Sequence, residues 1–86
     1  MKKTSVKIYV TSNCPFCVRA KQFLQAKNID FELIDLTNDP EALKTLKDKT
    51  HWKTVPQIFF GETFIGGYTD MIKLDDEGKL IPLLNQ

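Results

Sequence analysis

Twice in the first half of this chain a strand-like run gives way to a helix opened by a proline, and that alternation restricts the fold more than any other feature. Val6, Ile8 and Val10 alternate with Lys7 and Tyr9, a period of two that predicts a strand over 5–10. Thr11-Ser12-Asn13 is a polar turn. Pro15 then stands at a first helical position, which tolerates proline because its N–H would have had no partner. Phe16, Ala20, Phe23 and Leu24 recur at i, i+4, i+7 and i+8, with Arg19, Lys21 and Gln22 on other faces. That spacing predicts an amphipathic helix of about three turns, ending near Lys27-Asn28.

The second switch repeats the device. Phe31 to Leu36 reads as a strand of mixed burial. Asp39-Pro40-Glu41 supplies a capping side chain, a proline and an acid suited to the helix dipole, and the helix runs through Leu43 and Leu46 to Lys49. Gln57–Phe60 is a short apolar strand, and Gly61-Glu62 turns it into Thr63-Phe64-Ile65, close enough to pair as a hairpin. A helix starting near Thr69 carries Met71, Ile72 and Leu74 and stops at Gly78, with Leu80 to Leu84 as a last short turn. The order β-α-β-α-β-β-α predicts an α/β fold, a four-stranded mixed sheet flanked by helices. Two βαβ crossovers predict a parallel core with the hairpin as its antiparallel edge. The 86 residues suffice for one domain, 1–86, with no repeat or linker inside it.

A formal net charge of +1 leaves no electrostatic footprint for a polyanion, so neither nucleic acid nor an anionic membrane is expected as a partner. No run of about 18 apolar residues predicts a membrane-spanning helix. Met1-Lys2-Lys3-Thr4 has the charge of a signal-peptide head, but the apolar stretch behind it is short and broken by Lys7, and no small-residue cleavage site follows. A soluble cytoplasmic protein is the expectation.

The two cysteines, Cys14 and Cys17, are three positions apart. A bridge between them closes a very small loop and removes little unfolded-state entropy, a poor return for a structural staple. With the distant His51 as the only histidine they leave a structural zinc site short of ligands, so no metal is expected. Redox chemistry fits better. With Cys14 at the N-cap and Pro15 at N1, the Cys14 sulfur faces the unpaired N–H groups of Phe16 and Cys17 and the positive end of the helix. Those donors favour a thiolate, so the thiol pKa is expected below that of an ordinary cysteine. Cys17 follows one turn inward on the same face, a separation suited to a disulfide. An outer thiolate backed by a second thiol is the layout for attack on a disulfide followed by internal release.

Three separated segments extend the match: Cys14-Pro15-Phe16-Cys17 with Arg19-Ala20-Lys21, then Thr54-Val55-Pro56-Gln57-Ile58-Phe59, then Ile65-Gly66-Gly67-Tyr68-Thr69-Asp70. In this order and spacing the chain resembles the dithiol branch of the glutaredoxin family over nearly its whole length. The resemblance implies a thioredoxin-like fold with a cis peptide before Pro56. It also implies glutathione-dependent reduction of protein disulfides and of protein–glutathione mixed disulfides, Cys14 attacking and Cys17 resolving. Glutathione would be a co-substrate, with no bound cofactor, and glutathione reductase would act indirectly by regenerating it. Carried over by position, the Val55 backbone between Thr54 and Pro56 should pair with the cysteinyl part of glutathione. Lys53 should meet the glycyl carboxylate, and Gly67, Tyr68, Thr69 and Asp70 should hold the γ-glutamyl end. Phe16 is placed to cover a substrate disulfide. The implied partners are disulfide-containing or glutathionylated proteins, with ribonucleotide reductase among the candidates, and a monomer is expected.

Plain readings stand beside these. Lys53 reads equally as a solvated loop lysine, Thr69 and Asp70 as the cap of a helix, and His51 and Trp52 as loop packing. Many dithiol glutaredoxins carry a lysine three residues before the first cysteine, where this chain has Thr11, so one cation that would favour the thiolate is missing. Two other functions share the fold: a redoxin reduced by thioredoxin reductase that serves ribonucleotide reductase, and an iron–sulfur cluster carrier. The Gly66–Asp70 segment argues against the first, and Pro15 against the second.

Overall fold

The period-two run becomes a strand with one buried face. In the computed structural model, which describes residues 5–84, β1 (Val6–Val10) buries Val6, Ile8 and Val10 and exposes Lys7. It is followed by α1 (Pro15–Ala26), β2 (Glu32–Asp35), α2 (Pro40–Thr50), β3 (Gln57–Phe60), β4 (Thr63–Gly66), α3 (Tyr68–Asp76) and the short α4 (Leu80–Leu84). The Met1–Thr4 segment weighed above lies outside the described residues. Asp39 caps α2 as its sequence predicts, its Oδ1 accepting the Ala42 N–H at 3.1 Å.

The sheet order is β2-β1-β3-β4, and here one expectation is corrected. β1 and β2 are parallel, with Ile8 opposite Leu33, but β3 runs antiparallel to β1, with Tyr9 opposite Gln57. The parallel core is therefore a single pair, and only the first crossover is a βαβ unit. The chain leaves β2 beside the end of β1 and re-enters the sheet at that same end, after α2 and the connection 51–56. Hydrophobic periodicity carries no information on strand direction, so the sequence could not distinguish the two courses. The consequence is functional, because residues 54–56 arrive next to the turn that carries Cys14.

One face of the sheet holds the main core: Val6, Ile8 and Val10 of β1 and Ile58 and Phe60 of β3 pack with Ala20 and Leu24 of α1, Met71 of α3 and Leu80 of α4. Burial of each of these side chains larger than alanine stabilises the fold by about 1.5–3 kcal/mol. The buried stripe of α1 is Cys17, Ala20 and Leu24, with Phe23 only partly buried. Phe16 was expected on that stripe. It is 47% exposed at N2 of α1, outside the core. The opposite face carries an aromatic chain, Tyr9 to Phe59 to Phe64 to Trp52, with successive ring centroids 5.6, 5.1 and 5.6 Å apart.

Candidate active site

The site assembles where three segments meet at the C-terminal end of β1. Pro15 opens α1, so Cys14 becomes its N-cap with extended backbone, and the Cys17 N–H donates to Cys14 Sγ at 3.1 Å. Of the two donors expected from the sequence, this is the one the sulfur receives. It favours a negative sulfur over a neutral one in the reduced protein. Cys14 and Cys17 are joined in a disulfide with their Cα atoms 5.2 Å apart. Cys14 is partly accessible while Cys17 is 3% exposed, so an incoming disulfide can reach only the outer sulfur.

The second segment lies against that sulfur. The Val55–Pro56 peptide is cis, as the resemblance implied, and the Val55 carbonyl oxygen is 3.7 Å from Cys14 Sγ. Among the described residues the Val55 N–H donates to nothing, so this backbone is free to pair with an extended ligand. Lys53 and Thr54 are exposed beside it, and Pro56 is buried.

Gln57 holds this loop, a role that reading the sequence missed. It is 0% exposed, and its Nε2 donates to the carbonyls of Trp52 at 2.9 Å and Thr54 at 3.2 Å. Its Oε1 accepts from the Thr50 hydroxyl at 2.9 Å, tying the end of α2 to the start of β3. The available signal was a polar residue directly after Val55-Pro56 at a position whose strand neighbours are apolar.

The third segment is the start of α3. Gly66 has φ +113°, where a side chain is strained, and a Cβ there would stand 2.9 Å from Asp70 Oδ2. Gly67 is the N-cap, and Asp70 Oδ2 accepts its N–H at 3.0 Å. The helix-cap reading of Asp70 is thus realised. The N–H groups of Tyr68, Thr69 and Asp70 have no partner among the described residues, which leaves a positive, donor-rich helix end. A Cβ on Gly67 would lie 3.7 Å from the Pro56 carbonyl, so this turn sits against the cis-proline loop. The Phe16 and Tyr68 rings stack 6.0 Å apart, and the Arg19 guanidinium lies 5.5 Å from the Phe16 centroid. These contacts bring the starts of α1 and α3 together over the site.

The loop before Cys14 has its own anchor. Thr37 donates to Asp35 Oδ1 from both its hydroxyl and its N–H, and the Ser12 N–H donates to the Thr37 hydroxyl at 2.7 Å. The two bonds from Thr37 hold the Asp35 carboxyl below the usual carboxylate range. His51 ends α2 in the left-handed region at φ 58°, and Trp52 packs edge-on to Phe64. Trp52 thus matches its plain reading as loop packing, whereas His51 is exposed at the helix end.

An accessible sulfur at a helix start, an inner partner one turn behind it and a cis-proline loop alongside define a thiol–disulfide oxidoreductase of thioredoxin-like fold. The glutaredoxin family model matches residues 6–65. A glutaredoxin of Pseudomonas aeruginosa is 48% identical over 80 residues, spanning 93% of this chain and 95% of the relative. The solution structure of a Brucella melitensis glutaredoxin is similar with a TM-score of 0.87 at 39% identity, covering 98% of this chain and 91% of that one. A buckwheat glutaredoxin–glutathione complex is similar at 0.85 and 25% identity, covering 93% and 76%. The chain belongs to the glutaredoxin family.

Proposed function

We propose that this oxidoreductase draws its electrons from glutathione and reduces both protein–glutathione mixed disulfides and protein disulfides. With a mixed disulfide, the Cys14 thiolate attacks the glutathionyl sulfur and the protein leaves as a thiolate that takes up a proton. A second glutathione thiolate then attacks the Cys14-bound glutathionyl sulfur, releasing oxidised glutathione and the Cys14 thiolate. With a protein disulfide, Cys17 displaces the substrate from Cys14, and two glutathione molecules reduce the resulting Cys14–Cys17 disulfide.

One observation carries this reading: beside the attacking sulfur lies a free backbone edge at Val55, ending in the unpartnered N–H groups at the start of α3. A tripeptide thiol with a carboxylate at each end matches that layout. Its cysteinyl backbone pairs with Val55, its glycyl carboxylate meets Lys53, and its γ-glutamyl carboxylate takes the donors at Tyr68, Thr69 and Asp70. Gly67 lets the turn approach closely. Asp70 has one oxygen in the cap and offers the other to the ammonium. Thr54 and Pro56 shape the edge, and Phe16 covers the disulfide. Reduction by glutathione fits work in the cytoplasm, where the glutathione pool keeps thiols reduced.

The test is steady-state turnover of a small glutathione mixed disulfide with glutathione, glutathione reductase and NADPH. Lys53→Ala should weaken glutathione use by a few-fold to about tenfold, since an exposed charged contact contributes up to about 1.4 kcal/mol. High salt should shrink that difference. Turnover by thioredoxin reductase and NADPH in place of glutathione would refute the reading.

A further inference from the structure

Beyond the Cys14 site lies an open groove of about 760 Å3 that shares only Lys53 with the chemistry above. Its apolar floor is Pro40 and Leu43, and its cationic wall is Lys44, Lys47 and Lys53, with Asp48 and His51 at the rim. On α2 the lining positions 40, 43, 44, 47 and 48 follow the i, i+3, i+4 spacing of a single helix face. The whole chain carries a net charge of only +1, yet this face gathers three lysines against one carboxylate. Among the described residues the ion pairs are Lys27–Asp75 and Lys79–Glu77, so none compensates the groove. Lys47 stands in the last turn of α2, where a cation answers the helix dipole, but Lys44 stands a turn earlier, beyond the dipole's reach. The groove is also tied to the segment beside the reacting sulfur. Lys53 belongs to its lining and is two residues, at most about 7 Å of chain, from Val55.

We propose that this groove binds acidic segments of the polypeptides whose disulfides Cys14 attacks, so that the protein prefers substrate cysteines with Asp and Glu beside them. The inference rests on the reading of Cys14 as the attacking thiol. It does not require glutathione. In the exchange the Cys14 thiolate bonds to one substrate sulfur and expels the other, and Cys17 then closes the Cys14–Cys17 disulfide. The dithiol is oxidised, and the substrate leaves as two thiols. Long-range attraction acts chiefly on the encounter, raising the rate at low salt.

The experiment is single-turnover reduction, by the reduced protein, of peptides that share one internal disulfide and differ only in Glu, Gln or Lys flanks. Acid-quenched samples give the second-order rate constant. At low ionic strength the Glu peptide should react about three- to tenfold faster than the Gln peptide, and the Lys peptide slower than both. About 0.5 M salt should bring all three together. Lys44→Glu should remove most of the Glu-peptide advantage while leaving the Gln-peptide rate in place. Lys73→Glu, the same charge change on an exposed position of α3, should preserve it. Equal rates for the three peptides, or an advantage that Lys44→Glu leaves intact, would overturn the groove. Failure to react with any peptide would overturn the Cys14 reading as well.

Discussion

Replacing Gln57 by leucine tests whether the cis-proline loop owes its shape to one buried amide. The change keeps side-chain volume but removes two donors and an acceptor from a site that is 0% exposed. Thr50 has a fallback, since its hydroxyl is also 3.0 Å from the Leu46 carbonyl. The carbonyls of Trp52 and Thr54 have none among the described residues. Trp52 is half-buried, so its carbonyl is left without a partner at about 1–3 kcal/mol. Thr54 is exposed and its carbonyl can turn to water, limiting the loss there to about 0.5–1.5 kcal/mol. Leucine regains part of this through apolar burial, so a net destabilisation of about 2–3 kcal/mol is expected. For a domain of this size that lowers the melting temperature by roughly 8–24 °C. Because the same amide fixes the backbone on either side of Lys53, turnover well below the melting point should also fall. Urea denaturation followed by circular dichroism measures the first effect, and kcat/KM on a disulfide peptide at 15–20 °C below the variant's own Tm, roughly, measures the second. A Gln57→Leu protein that melts within about 2 °C of wild type would refute the reasoning. Unchanged kcat/KM in a destabilised variant would confine Gln57 to a structural role.

Three further outcomes follow from the site. Cys14→Ser should abolish all thiol transfer, whereas Cys17→Ser should keep turnover of glutathione mixed disulfides and lose most protein-disulfide reduction; equal losses on the mixed disulfide would contradict the roles given to the two sulfurs. Gly66→Ala forces a side chain into φ +113° and against the Asp70 carboxylate, so urea denaturation should register a loss of about 2–4 kcal/mol, and a loss under about 0.5 would mean the turn relaxes freely. The Asp35 carboxyl is depressed in the folded state, so its contribution is present above the unfolded value of about 3.9 and disappears as pH falls through the lower folded value. Thermal melts of wild type and Asp35→Asn should therefore converge as pH falls below about 4, and a gap that stays constant there would remove the Thr37 hydrogen bonds as the cause.

Much of the architecture was legible along the chain because it depends on neighbours. Pro15 and Pro40 each open a helix, Asp39 caps one of them, and Val6, Ile8 and Val10 bury one face, all through local geometry and a short period. The placement of Cys14 at a helix start, with Cys17 one turn behind, is local in the same sense. What required the tertiary structure were relations between residues far apart in sequence. The antiparallel course of β3 is set by how 51–56 re-enters the sheet, and it alone brings Val55 within 3.7 Å of Cys14. Phe16 shares a helical period with Ala20, yet lies outside the core, its ring stacked on Tyr68 at the start of α3. Gln57 looked like an ordinary strand position, and its function exists only because the carbonyls of Trp52 and Thr54 turn back toward it. A sequence records which side chains can form a helix, a strand or a thiolate. Which backbone groups are left unpaired beside that thiolate depends on strand direction and loop closure, and those are decided by the packed chain as a whole.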